Sequence, residues 1–105
     1  MLDTTRLTAA VDRFADRLRS APQSRLQRGA AAGALATARE LTARAQRIEA
    51  LDREPRIMPD VGIFAVGDQL AVAGRDLAVA LETAPSAELD EAVRFVDAAA
   101  ARAFS

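Results

Sequence analysis

The amino-acid sequence predicts an all-α protein, an antiparallel four-helix bundle formed by one domain that spans residues 1–105. Three observations lead to this prediction. Alanine, the residue with the highest helix propensity, occurs 26 times. The four prolines divide the chain into segments, and each segment spaces its apolar residues with the period of a helix. The short turns that contain Pro22 and Pro85 indicate antiparallel neighbours.

The helices are expected near residues 4–20, 24–53, 60–83 and 86–104. One face of the first collects the large apolar residues Leu7, Val11, Phe14 and Leu18. The second follows Pro22 with Ser24 as its N-cap, and we expect a bend or break near Gly29 and Gly33. The fourth follows Pro85 with Ser86 as its N-cap, and its apolar stripe consists of Leu89, Val93, Val96 and Ala100.

The third predicted helix is the most apolar part of the chain. Between Gly62 and Glu82 it reads as three heptads, GIFAVGD, QLAVAGR and DLAVALE, in which charged residues return every seven positions. A strand would need a period of two, so this spacing favours a helix. A β-hairpin that turns at Gly67 and Asp68 is the alternative, and the valines favour it.

Charged residues argue against a membrane span for this segment. Asp68, Arg75 and Asp76 would each cost about 2.5–3.5 kcal/mol near the centre of a bilayer. Only two adjacent heptad positions are polar, so the helix must be covered on several sides, either by the other three helices or by a second copy. We expect a homodimer, with the candidate interface formed by Val66, Leu70, Val72 and Leu77.

All five glycines fall inside the second and third predicted helices: Gly29, Gly33, Gly62, Gly67 and Gly74. Each costs about 1 kcal/mol relative to alanine in a helix interior. Close backbone contact between these two helices would offset that cost. The alternative is that glycines are scattered neutrally through tolerant helices by codon bias.

The composition excludes many kinds of enzyme. The chain has no Cys, His, Trp or Tyr, and all 14 basic residues are Arg. It therefore lacks the usual near-neutral base, the thiol nucleophile and the Schiff-base lysine. We predict no catalytic, cofactor-binding or metal-binding residues. The alternative is a small ligand-binding protein or enzyme that uses Arg and carboxylate groups, with Asp68, Arg75 and Asp76 lining its pocket.

Charge is unevenly distributed along the chain. Residues 1–56 carry a balance of +4 and residues 57–105 a balance of −5. We expect the basic half to attract the acidic half, within one chain or between copies. The alternative is a basic strip for an acidic protein partner, formed by Arg25, Arg28, Arg39, Arg44 and Arg47. The absence of a recognition motif or aromatic cluster argues against nucleic acid.

The longest predicted connection, residues 51–60, is a second candidate contact region. Its residues Arg53, Arg56, Ile57 and Met58 would suit contact with a partner. The alternative is that Ile57 and Met58 close the open end of the bundle while the arginines stay solvated. Near the N-terminus, Asp3, Asp12 and Asp16 argue against a signal peptide, so we expect a cytoplasmic protein.

Overall fold

The computed structural model describes residues 1–49 and 56–105, and in these ranges it is helical without strands. The predicted four-helix bundle is confirmed. The elements are α1 (Thr5–Ser20), α2 (Gln23–Arg25), a π-helical turn (Leu26–Ala30), α3 (Ala31–Glu49), α4 (Val66–Leu81) and α5 (Ser86–Ala103). The four long helices α1, α3, α4 and α5 share one core. The β-hairpin alternative at Gly67 and Asp68 is wrong, because both residues lie in the first turn of α4.

The N-terminus of α1 is held by a local hydrogen-bonded turn. Asp3 Oδ1 accepts bonds from the Thr5 hydroxyl at 2.6 Å and from the Thr5 amide at 2.9 Å. These bonds favour the ionised carboxylate and lower the pKa of Asp3 below its ordinary value. Along the helix, the predicted apolar face is buried, including Leu7 and Phe14. Local sequence therefore determines both where α1 starts and which side faces the core.

The second predicted helix is divided. Gly29 has a φ of 131° within the π-helical turn, so the predicted break occurs there and α3 starts after it. A side chain is strained at this φ, whereas glycine is not. Pro22 and Pro85 occupy the N-cap positions of α2 and α5, and no side-chain bond caps either helix. The predicted caps at Ser24 and Ser86 are therefore wrong, although both helices begin within one residue of the predicted start.

The connectivity differs from a simple up-and-down arrangement. α1 and α3 each pack mainly on α4 and α5, so helices joined by short connections lie across the bundle from each other. The prediction that the turns at Pro22 and Pro85 join neighbouring helices is therefore wrong. Leu35 and Val66 line one cavity near the N-terminal ends of α3 and α4. Ile48 and Leu81 line another cavity near the C-terminal ends of the same helices. α3 and α4 therefore run parallel. A parallel pair needs a crossover connection that returns along the length of the bundle.

The described part of this crossover, residues 56–65, lies along α3 and α4. The carbonyl oxygen of Met58 accepts a bond from Arg39 Nε at 2.9 Å, and that of Pro59 accepts one from Gln69 Nε2 at 2.8 Å. Gly62 then adopts a φ of 105°, and its amide donates to Asp60 Oδ1 at 2.9 Å. This turn delays α4, which begins at Val66 and not near residue 60 as predicted.

Glycine allows close packing, but between a different pair of helices from the predicted one. A Cβ atom on Gly74 would lie 2.6 Å from Val11 Cγ1, and one on Gly67 would lie 3.3 Å from the Ala15 carbonyl oxygen. Both glycines of α4 therefore face α1. A Cβ atom on Gly33 would meet no atom within 4 Å. α3 and α4 do pack closely, as predicted for the second and third helices. The prediction that glycines make this contact is wrong, because the glycine side of α4 is turned toward α1.

Ion pairs join the two halves of the chain as predicted. Four of them link a basic residue of the first half to an acid of the second: Arg6–Asp90, Arg13–Asp97, Arg19–Asp68 and Arg44–Glu91. Most of these groups are exposed, so each pair contributes about 0–1 kcal/mol. Part of the positive charge of the first half is thus paired with negative charge of the second half within one chain.

We expect Gly74→Ala to destabilise the bundle by a net of about 1–2 kcal/mol. The new methyl group would overlap Val11, which is buried and branched at Cβ, and this overpacking outweighs the gain of about 1 kcal/mol in helix propensity. Urea denaturation followed by circular dichroism measures the difference in the free energy of unfolding.

Gly33→Ala is the matched control, because it makes the same change in α3 at an exposed position with free space. It should stabilise the protein by about 0.5–1 kcal/mol. The double variant Gly74→Ala/Val11→Ala should recover part of the packing strain. A Gly74→Ala protein as stable as Gly33→Ala would contradict the close α1–α4 contact.

Candidate functional site

The predicted interface residues are divided between the core and the surface. Val66, Leu70 and Leu77 are buried within one chain, where α1 and α3 cover the inner side of α4. Val72 points away from the core and is 54% exposed. Of the four predicted positions, Val72 is therefore the one that a second molecule could reach without opening the bundle.

Large apolar side chains that remain exposed are concentrated on one part of the molecule. Among the described residues other than Met1, they all belong to the crossover or to α4: Ile57 (80% exposed), Val61 (59%), Phe64 (73%), Val72 (54%) and Val79 (65%). α1, α3 and α5 have no exposed large apolar residue in the described ranges. Exposed apolar residues that are concentrated in one region are typical of contact sites.

Three of these residues and two charged neighbours form one stripe, which we call the outer face of α4: Phe64, Asp68, Val72, Arg75 and Val79. Their spacing of three and four residues places them on one side of a helix, with Phe64 in the turn that leads into α4. The heptad pattern predicted the charged positions. It missed Phe64 and Val79 because apolar residues were assigned to the covered side.

The two charged residues of the outer face differ in their surroundings. Asp68 Oδ1 accepts bonds from Arg19 Nη2 at 2.7 Å and from Arg19 Nε at 3.2 Å. This contact raises the pKa of Arg19 above its ordinary value, mainly through the bond to Asp68. Arg75 makes no ion pair with any carboxylate of residues 1–49 and 56–105.

The predicted contact residues of the crossover also differ in their exposure. Ile57 and Arg56 are exposed, whereas Met58 is half-buried and packs on the core. Arg53 lies outside the described residues. Ile57 and Met58 line a shallow groove of about 560 Å³ together with Val79 and Asp76. Met58 therefore packs on the core, as the alternative expected, whereas Ile57 does not. Contact of this region with a partner stays a prediction.

Three arginines line a different cavity, of about 390 Å³, where the π-helical turn meets the end of α5. They are Arg25, Arg28 and Arg102, and no carboxylate side chain lines the cavity with them. The carbonyl oxygen of Ser105 accepts a long bond of 3.5 Å from Arg25 Nη1. We call this the arginine cavity. The sequence did not indicate that Arg102 joins the other two, because α5 is distant in the chain.

A cavity of about 310 Å³ at the opposite end contains both signs of charge. Arg44 lies 3.2 Å from Glu40, 3.9 Å from Glu91 and over the ring of Phe95 at 4.5 Å from its centroid. Arg47 contacts the same Glu40 at 3.3 Å. These groups compensate one another, so the cavity has little net charge to attract an ion.

The predicted basic strip is therefore not continuous. Arg44 and Arg47 are bound to Glu40, and Arg39 donates to the Met58 carbonyl oxygen. Arg25 and Arg28 lie in the arginine cavity. The strip is divided because its members lie on different sides of α3 and on both sides of the break at Gly29.

The polar residues proposed for a ligand pocket on the third predicted helix line no common cavity among those described above. Asp68 is bound to Arg19, while Asp76 lines the groove beside Ile57. In residues 1–49 and 56–105, no three carboxylates lie close enough together to hold a metal ion. No helix in the same ranges is long and apolar enough to cross a bilayer.

Comparisons of this chain with protein-family models, with curated proteins and with solved structures find no match.

Burial separates the inner and outer sides of α4, and one pair of substitutions tests this. Leu70→Glu should destabilise the monomer by about 4 kcal/mol or more, because it removes a buried side chain and introduces a buried charge. Val72→Glu makes the same chemical change on the exposed side and should keep the helical circular dichroism spectrum. A folded Leu70→Glu protein would contradict the assignment of Leu70 to the core.

Proposed function

We propose that this protein is a non-enzymatic helical module for protein–protein interaction, and that it self-associates as a homodimer through the outer face of α4. One observation carries the proposal: the exposed large apolar residues of the described chain, Met1 aside, are confined to the crossover and α4. Single exposed apolar residues are ordinary on protein surfaces, but their confinement to one region is not.

The composition of this surface supports a protein partner. Phe64, Val72 and Val79 provide apolar area, and Arg75 is a residue type enriched at interfaces. None of the cavities described above is lined by Asp68 or Arg75. A small molecule requires a concave site, whereas a helix face suits another helix.

The cellular setting is part of the same proposal. We propose that the module acts in the cytoplasm. The chain contains no His, Cys, Lys or Tyr, and this composition supports a role without catalysis.

The proposal predicts the mass of a dimer at tens of micromolar protein in size-exclusion chromatography with light scattering. Val72→Asp/Val79→Asp should give a folded monomer, because it places charges on the apolar part of the outer face. Ala98→Asp adds a charge on the exposed side of α5 and should leave the dimer intact. A monomer mass for the unmodified chain would refute self-association.

A second candidate function is supported by the arginine cavity. Arg25, Arg28 and Arg102 converge there without an ion pair to any carboxylate side chain of the described residues. Guanidinium groups bind phosphate through paired charge-assisted hydrogen bonds. We therefore propose, as the alternative to a pure interaction module, that this cavity binds a small phosphate-bearing ligand.

Calorimetric titration with inorganic pyrophosphate tests this alternative. Arg28→Gln and Arg102→Gln should each weaken binding about tenfold, since each removes a charge-assisted bond worth about 1.5 kcal/mol. Arg94→Gln removes an exposed arginine of α5 outside the cavity and should have little effect. The absence of measurable binding, or equal weakening by all three variants, would rule out a specific anion site.

A further inference from the structure

We infer that two copies of this chain pair through the outer faces of α4 in an antiparallel arrangement, about a two-fold axis that passes near Val72. The inference rests on the proposed self-association and adds which residues meet across the interface. Its basis is the order of residues on the outer face, which reads apolar, negative, apolar, positive, apolar from Phe64 to Val79.

The charged positions match when the face is turned by a two-fold axis. At about 1.5 Å per residue, Asp68 lies roughly 6 Å before Val72 along the helix and Arg75 roughly 4.5 Å after it. The axis reverses the direction of the second α4. Asp68 of one copy therefore comes level with Arg75 of the other, within about one residue's rise, and this happens twice in the dimer.

The apolar positions match under the same operation. Val79 lies about 10.5 Å after Val72, and Phe64, in the turn that leads into α4, lies on the other side of Val72 along the stripe. Phe64 of each copy therefore approaches Val79 of the other, and Val72 meets Val72 at the centre. All five positions of the outer face then contact a residue of compatible chemistry in the second copy.

A parallel pairing of the same faces lacks this match. It would place Asp68 beside Asp68 and Arg75 beside Arg75, and close like charges disfavour an interface. The charge order therefore selects the antiparallel arrangement over the parallel one, although both would cover the same apolar residues.

The contact between Asp68 and Arg19 leaves room for this pairing. Both bonds from Arg19 end on Oδ1 of Asp68, and Oδ2 accepts no hydrogen bond from the described residues. A carboxylate has acceptor sites on both oxygens. Arg75 of the second copy can therefore donate to Oδ2 while Arg19 keeps its own bond.

A charge exchange between two single variants tests the arrangement. Asp68→Arg and Arg75→Asp should each raise the dimer dissociation constant about tenfold or more, because each homodimer would then contain two like-charged contacts. Mixing the two variants should restore association as a heterodimer, in which both contacts are again between opposite charges. Native mass spectrometry distinguishes the heterodimer from either homodimer by mass.

Two further variants serve as controls. Arg19→Gln removes the same contact within one chain that Asp68→Arg removes, and it should leave the dimer dissociation constant nearly unchanged. The double variant Asp68→Arg/Arg75→Asp exchanges both charges in one chain and should form a homodimer close to that of the unmodified protein. Thermal unfolding shows that each variant is folded before its association is compared.

The results separate the two proposals. A monomeric unmodified chain would overturn self-association and this arrangement together. An unmodified dimer whose single variants still dimerise, or whose mixture yields no heterodimer, would overturn the antiparallel arrangement and leave self-association standing. Weakened self-association of both single variants, together with recovery in the double variant, would support the arrangement. A parallel dimer already has like charges side by side, so neither single change would weaken it.

Discussion

The close approach of α1 and α4 is the constraint on which the rest of the bundle depends. Gly74 leaves no room for a methyl group against Val11, and Gly67 lies against the backbone of Ala15. Small residues make each burial contribution small, so the helices must lie near one another to exclude water and gain dispersion contacts. This contact fixes the rotation of α4 about its axis. Val72 and Val79 are turned outward as a result.

The crossover adds exposed apolar residues to those that the rotation of α4 turns outward. Because α3 and α4 run parallel, the chain has to return along the bundle before α4 begins, and its described part lies beside both helices. This path brings Ile57, Val61 and Phe64 to the part of the molecule that contains Val72 and Val79. The exposed apolar region is thus produced by connectivity and helix rotation together, and by neither alone.

Electrostatics follows the same architecture. Ion pairs between helices use basic residues of the first half and acids of the second, which satisfies much of the charge asymmetry inside one chain. Three arginines remain together at one end, because antiparallel packing of α3 and α5 places Arg102 near Arg25 and Arg28. Asp68, which is paired with Arg19, and Arg75 lie on the outer face. Their order along α4 distinguishes one end of this surface from the other.

The sequence by itself determined the number of helices, their approximate bounds and the buried side of α1, because helical period and proline position are local properties. It also determined which positions of α4 carry charge. Only the tertiary structure decided that Leu70 is covered while Val72 is exposed, that Gly67 and Gly74 face α1, and that α3 and α4 run parallel. Those outcomes depend on which helices become neighbours. Neighbours are selected by packing between residues far apart in the chain, and a local sequence pattern does not predict that packing.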